Sequence, residues 1–295
     1  MNKIILYTIA VDKNDNYVHI DNAEKGMSYY CPVCKKEFIL RKSGKTGKGS
    51  RRPHFAHNEL TTNCTPEGVL HYSFKKLLID LLEKYKTENK SFLLNWTCDS
   101  CHYENSGNLL GKATLIKEEY SLGECRPDIA LLDKEENVLA VIELVDTHKP
   151  EESALQYYKA NKITFIQINL TSEEDLNEVE KKVQKPDIVD LCLSPKCQNS
   201  DKYKITRTIK AFRHNCGRCF AIIPRFEIEI NSVFGSQLSR DFTEEEINTV
   251  KSNRNKIVNC HEIVIGKDSA TKVKYPVVVC ENCQMMRGRR NRFPL

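Results

Sequence analysis

Four Cys-x-x-Cys pairs punctuate this chain: Cys31/Cys34, Cys98/Cys101, Cys216/Cys219 and Cys280/Cys283. They constrain folding more than any other feature. Each pair forms a knuckle with two sulfurs, and a four-coordinate metal must draw its remaining ligands from elsewhere in the chain. Thirteen cysteines occur in all. The start, MNKIILYTIAVD, has one lysine and no small-residue cleavage site, and continues into the alternating NDNYVHI. We read a first hairpin there, not an export signal. A cytoplasmic chain rarely keeps disulfides, so structural zinc is the economical use of these pairs. A secreted disulfide scaffold is the runner-up, but pairs at this spacing suit metals better.

Zinc takes four ligands. Cys31 and Cys34 have His54, His57 and Cys64 as candidate partners, so one of the five is spare. Cys31, Cys34, His57 and Cys64 form the favoured set, with His54 left free. Cys98, Cys101, His102 and Cys125 make a second set. Cys216, Cys219, Cys280 and Cys283 make a third, with two knuckles supplying four thiolates as in zinc ribbons. Cys192, Cys197, Cys260 and His261 remain for a further site. Spacing does not fix connectivity, so partners can exchange between these groups.

Periodicity gives the organisation. Val69, Leu70, Phe74, Leu77, Leu78, Leu81 and Leu82 place one apolar face on a helix from Glu67 to about Lys86. SFLLNW, LLGKATLIKEE, RPDIALLD and VLAVIELV read as strands, the last two as a hairpin around KEEN. KPEESALQYYKANK reads as a helix, ITFIQINL as a buried strand and SEEDLNEVEKKV as a surface helix. This order predicts a mixed sheet flanked by helices. The boundaries expected are 1–66 for a zinc-bound β-hairpin subdomain, 67–184 for the α/β core and 185–295 for a small cysteine-rich module. That last part carries apolar strands and the acidic helix FTEEEINTV.

Charge narrows the partners. The net charge is +5, but residues 41–52, RKSGKTGKGSRR, carry Arg41, Lys42, Lys45, Lys48, Arg51 and Arg52 and no acid. The tail RGRRNRFPL carries four more arginines. Such runs attract phosphate backbones by releasing counterions, which points to DNA, with RNA as the alternative. GKTGKGS lacks the glycine that a phosphate-binding P-loop keeps five residues before its Gly-Lys-Ser/Thr. No run approaches the roughly 20 apolar residues of a membrane helix, so no membrane partner is expected. The zinc-deaminase and His-Glu-x-x-His patterns are missing as well.

PHFAH, EGVLHYSFK and RPDIALLD followed by IEL resemble the CoiA-like competence family, over roughly the first 170 residues. The resemblance implies an α/β fold of the PD-(D/E)xK restriction-endonuclease type. It implies a nucleic-acid substrate and a divalent metal, Mg or Mn, and hence an endonuclease-like hydrolase. The zinc-ribbon-like C-terminal module lies outside it.

Asp128 and Glu143 are the expected metal ligands. Antiparallel neighbours across a short turn bring such positions side by side, and Glu143 shares a strand face with Val141 and Val145. A carboxylate there is costly without a cation or partner. The family pattern adds Glu67 as a third oxygen ligand. His71 and Lys75 follow at four-residue intervals on the same helix face. In this fold a lysine usually stands two residues after the second carboxylate, where this chain has Val145. Lys75, His148, Lys149 and Lys112 are the replacements available, with His148 and Lys75 favoured. The reading is a metal-dependent DNA nuclease acting in DNA processing or defence. The alternative is a catalytically inactive, zinc-stabilised nucleic-acid-binding adaptor. Basic segments on either side of the core would suit a homodimer straddling a duplex.

Overall fold

The computed structural model describes residues 6–42, 52–58, 64–146, 149–197 and 205–286. Packing divides the chain into two units, one of residues 1–97 and 108–190 and the other of residues 98–107 and 191–295. This differs from the three-part division expected from composition. The hairpin subdomain and the α/β core pack as one unit, and a ten-residue excursion from the core folds with the C-terminal module.

The first unit opens with strands β1 (Ile9–Val11), β2 (Tyr17–His19), β3 (Tyr29–Tyr30), β4 (Glu37–Arg41) and β5 (His54–His57). They form an antiparallel sheet in the order β2-β1-β3-β4-β5. Its core joins Tyr29, Phe38 and Phe55 to Cys31 and Cys64, and to Val69 of the following helix. That helix, α1 (Pro66–Thr87), has Pro at its start and Thr65 as N-cap, whose Oγ1 accepts from the Gly68 N–H at 3.0 Å. The cap contributes about 1 kcal/mol. Phe74, Leu78 and Leu82 recur at four-residue steps and are fully buried.

After β6 (Leu93–Thr97) and β7 (Glu104–Asn108) come β8 (Leu115–Glu118), β9 (Ile129–Leu132), β10 (Val138–Val145), α2 (Glu152–Ala160), β11 (Thr164–Asn169), α3 (Val179–Gln184) and β12 (Ile188–Val189). The second sheet of this unit runs β12-β11-β10-β9-β8. β10 and β11 are parallel, joined through α2, and the other pairings are antiparallel. The unit is therefore mixed α/β. β9 is buried along its whole length, so it reads as an unbroken apolar run. SEEDLNEVEKKV splits into a 3-10 helix (Glu173–Asn177) and α3 instead of one helix. Asp175 caps the first piece by accepting from the N–H groups of Thr171 and Ser172.

The second unit contains β13 (Thr206–Asn215), β14 (Ile222–Ser232), β15 (Gly235–Ser239), α4 (Glu244–Ser252), β16 (Cys260–Lys267) and β17 (Lys274–Cys280). The first three strands form one antiparallel sheet and the last two a hairpin. Thr243 and Glu246 close a reciprocal capping box on α4, and Arg207 of β13 pairs with Glu246 at 2.9 Å. Besides its cysteines, two contacts help to hold the excursion within this unit. Asn105 Oδ1 accepts from the Leu193 N–H at 2.8 Å. Gly107 lies so close to Phe234 that a Cβ would sit 2.8 Å from it. Among the described residues, no helix is long and apolar enough to cross a membrane.

Candidate functional site

All four Cys-x-x-Cys turns share one backbone design. The residue after the second cysteine donates its N–H to the first cysteine's carbonyl: Lys35 to Cys31, His102 to Cys98, Phe220 to Cys216 and Gln284 to Cys280, at 2.8–3.0 Å. Those four residues all have left-handed backbone, with φ of 59°, 55°, 60° and 55°. The first cysteine's own N–H then closes the turn onto the residue two beyond the second. This geometry aims N–H groups at the first sulfur; at Cys31 burial outweighs them and pushes the thiol up, whereas Cys98 and Cys216 are lowered. The N–H groups of Cys219 and Arg218 draw Cys216 down to about 6. At Cys98 burial opposes the effect, but the N–H groups of Cys101 and Ser100 still bring it to about 7.

Three groups of donors converge, each with its ligand atoms within 4.8 Å of one another. Cys31, Cys34, His57 and Cys64 form the first. His54 stays out of it, its Nδ1 lying 2.8 Å from the Arg52 carbonyl. Cys98, Cys101, Cys192 and Cys197 form the second, and Cys216, Cys219, Cys280 and Cys283 the third. Sulfur pairs lie 3.2 Å apart at Cys31–Cys64, 3.4 Å at Cys216–Cys283 and 3.8 Å at Cys98–Cys197. A disulfide would need about 2.05 Å, and none of the thirteen cysteines is in a disulfide. Tetrahedral zinc with 2.3 Å bonds sets sulfurs about 3.8 Å apart, so each group has the donors and spacing to hold a zinc ion.

Cys125, expected beside Cys98 and Cys101, is not in the second group, and neither is His102. Cys125 packs instead against the apolar cluster around Tyr158 in the first unit, whereas the knuckle belongs to the second. Cys260 ligates nothing within a group; its Sγ meets the Glu262 carbonyl at 3.5 Å.

The other constellation lies where α1 meets the start of β9. Asp128 immediately precedes β9, and Glu143 is the sixth residue of β10. The Leu144 N–H donates to Asp128 Oδ2 at 2.9 Å, which turns the Asp128 carboxylate toward β10. From α1, His71 Nε2 approaches the same oxygen at 3.2 Å and Lys75 Nζ lies 3.5 Å from Oδ1. Tyr158 of α2 donates its hydroxyl to Glu143 Oε1 at 2.7 Å. The two carboxylates behave oppositely. Burial would raise Asp128, but His71, the Leu144 N–H and Lys75 hold it below the usual range. Burial and the facing Asp128 carboxylate push Glu143 up to about 7.

Lys75 is 3% exposed and makes three ion pairs: 2.6 Å to Glu119, 3.5 Å to Asp128 and 3.7 Å to Glu118. Among these, Asp128 is the least exposed, so it is the one that cannot turn to water when the ammonium is removed. Replacing Lys75 by Met is expected to cost about 3 kcal/mol, the low end for a broken buried pair, because Glu118 and Glu119 can turn to water. Urea denaturation of Lys75→Met would measure it. Adding Asp128→Asn should recover much of the loss; no recovery would mean that Lys75 supports the fold by packing alone.

Glu67 sits in the first turn of α1 and joins no group of three close donors with Asp128 and Glu143 among the described residues. Val145 is buried. Of the basic-loop residues, Lys42 reaches the Asp21 carbonyl at 3.3 Å, Arg52 pairs with buried Glu173 at 2.8 Å, and Arg41 ends β4. Lys45, Lys48, Arg51, His148 and the arginine-rich tail lie outside the described residues. Sequence reasoning missed Tyr158, Glu119 and the Cys192/Cys197 pair. Only the last had a signal, since Cys192 and Cys197 were set aside for a further site and partners could exchange between the groups.

Residues 12–67 match the family model described as competence protein CoiA, N-terminal domain. That stretch is similar to the CoiA N-terminal domain. The match takes in the whole Cys31, Cys34, His57 and Cys64 group and ends on Glu67. Asp128 and Glu143 lie beyond the matched stretch. No curated protein and no solved structure matched the chain.

Proposed function

We propose that the chain is a divalent-cation-dependent nuclease of PD-(D/E)xK type, acting on DNA. The observation that carries this reading is the facing pair Asp128 and Glu143, with Glu143 raised to about 7 by burial and its neighbour's charge. Such a pair is short of positive charge, and its hard oxygen donors suit Mg²⁺ or Mn²⁺. Magnesium is commonly held by one or two carboxylates, with waters and substrate phosphate completing the shell, so a third protein ligand is not required. When bound, the cation would neutralise charge on the phosphate and lower the pKa of a water. Asp128 would be kept ionised and oriented by His71 and the Leu144 N–H, and Tyr158 would fix the Glu143 rotamer. Lys75 supplies from the helix the positive charge that Val145 cannot supply from the strand. Purified chain should nick plasmid or cut oligonucleotide only with added Mg²⁺ or Mn²⁺.

One observation favours the inactive-adaptor reading. The Lys75 ammonium is engaged by three carboxylates and is not free to activate water. Salt-sensitive DNA binding without cleavage in either cation would select that reading.

The proton on Glu143 gives a pH signature. Its folded pKa is raised from 4.5 to about 7, so the stability it contributes is full below the ordinary glutamate pKa and is lost as pH rises through about 7. Asp128 is lowered, so its contribution is present above the ordinary aspartate pKa and lost as pH falls. Added Mg²⁺ or Mn²⁺ should therefore raise Tm more strongly above pH 7 than at pH 5, because cation and proton compete for Glu143. A cation-induced shift that ignores pH would place the ion elsewhere.

A further inference from the structure

The second unit carries an exposed apolar groove where β13 and β14 run toward their cysteine knuckle. It encloses about 430 Å³ and is lined by Phe212, Arg213, Ile222, Lys256 and Val258 among others. The Asn259 side chain donates to the Ile222 carbonyl at 2.8 Å, tying the segment with Lys256 and Val258 to the strand end. Arg213 and Lys256 are the charged residues of its lining, and no carboxylate joins them. Neither makes an ion pair among the described residues.

The apolar side chains of the lining are unusually open, with Phe212 40% exposed, Ile222 50% and Val258 72%, and Phe220, outside the lining but two residues before Ile222, is 75% exposed. Phe220 is the sharpest anomaly. It occupies the left-handed position of its knuckle, φ 60°. Glycine or asparagine takes that backbone at least cost, and a bulky residue is an outlier there. Its ring covers little core. Fold stability accounts for neither the residue nor its exposure. Arg218 of the same knuckle and Arg254 of the facing segment are exposed as well.

We propose that this groove binds a single strand of nucleic acid, with bases stacked on Phe220 and Phe212 and phosphates drawn to Arg213 and Lys256. Exposed rings among unpaired cations, with no acid in the lining, match the electrostatics and the flat faces of such a strand. A duplex hides those faces inside its own stack. The inference is independent of the cleavage chemistry, since it concerns residues of the second unit and is read without added divalent cation.

The test uses the full zinc-loaded chain, a fluorescein-labelled oligothymidine and fluorescence anisotropy in a salt series without Mg²⁺ or Mn²⁺. Phe220→Gly should weaken binding about tenfold, the loss of one stacked base. Its zinc content should be unchanged and its Tm unchanged or higher, because glycine adopts the left-handed backbone freely. Arg213→Ala with Lys256→Ala should flatten the dependence of log affinity on log salt by about 1.4, at about 0.7 per single-strand phosphate contact. Anisotropy without Mg²⁺ or Mn²⁺ reads binding and not cleavage, which separates this result from the fate of the nuclease reading. Binding within about twofold of wild type for both groove variants would overturn the proposal. So would a dimer that Phe220→Gly dissolves while oligothymidine binding persists, which would assign the groove to a second copy of the chain.

Discussion

Removing zinc is expected to unfold the second unit, and metal analysis should count three zinc ions per chain, one for each convergent donor group. Two of those groups lie in this unit. Cys216 and Cys219 stand between β13 and β14, and Cys280 and Cys283 at the end of β17, so their cluster fastens the three-stranded sheet to the separate hairpin. Cys98 and Cys101 with Cys192 and Cys197 fasten the excursion to the point where the chain re-enters the unit. A structural zinc contributes about 10–16 kcal/mol in small metal-bound domains, whereas whole domains are stable by only about 5–15 kcal/mol. Stripping two ions should exceed what the apolar core around Ile228, Phe242 and Val278 can hold. Hydrogen exchange after chelation should show β13–β17 amides losing protection while β9–β11 keep theirs. Cys216→Ser should lower the zinc count by one and reproduce the loss at β17. A count well below three, or a chelated chain with β13–β17 still protected, would mean the sulfurs converge without metal.

Glu143→Gln is expected to abolish metal-dependent cleavage, by about a thousandfold, while the chain stays folded. Glutamine keeps the shape and can still accept from the Tyr158 hydroxyl, but it removes the charge that would hold the cation. Charge stabilisation by a bound ion is worth several kcal/mol in such reactions, and each 1.36 kcal/mol is about tenfold in rate. Stability should rise slightly at pH 8 in the metal-free protein, because the amide removes a carboxylate whose ionisation is opposed by Asp128. Asp128→Asn should be equally inactive but less stable, since His71 and Lys75 then lose their shared acceptor. Plasmid nicking with purified variants reads the first effect and thermal melts read the second. Cleavage persisting in both variants would remove these carboxylates from the chemistry.

Much of the fold could be read from spacing. The apolar stripe on α1, the β9–β10 hairpin around KEEN and the strand β11 follow from local periodicity and turn chemistry, which depend on residues a few positions apart. β13 escaped notice because it is an edge strand whose consecutive exposed residues Ala211, Phe212 and Arg213 break the alternation. The excursion at 98–107 escaped for another reason. Nothing in CDSCHYEN tells which body it will join, and only Asn105 bonding Leu193 and Gly107 against Phe234 reveal it.

The sequence by itself determined where the four knuckles stand, and each Cys-x-x-Cys pair of this chain closes the same short hydrogen-bonded turn. It also determined that Asp128 and Glu143 begin and nearly end adjoining antiparallel strands, through the length of the turn between them. Tertiary structure alone decided which knuckle meets which, so that Cys98 and Cys101 face Cys192 and Cys197 and not Cys125. It alone decided that Lys75 is buried against Asp128 and that Tyr158 holds Glu143. Those choices depend on packing between segments tens of residues apart, where spacing carries no information about which partner is reached.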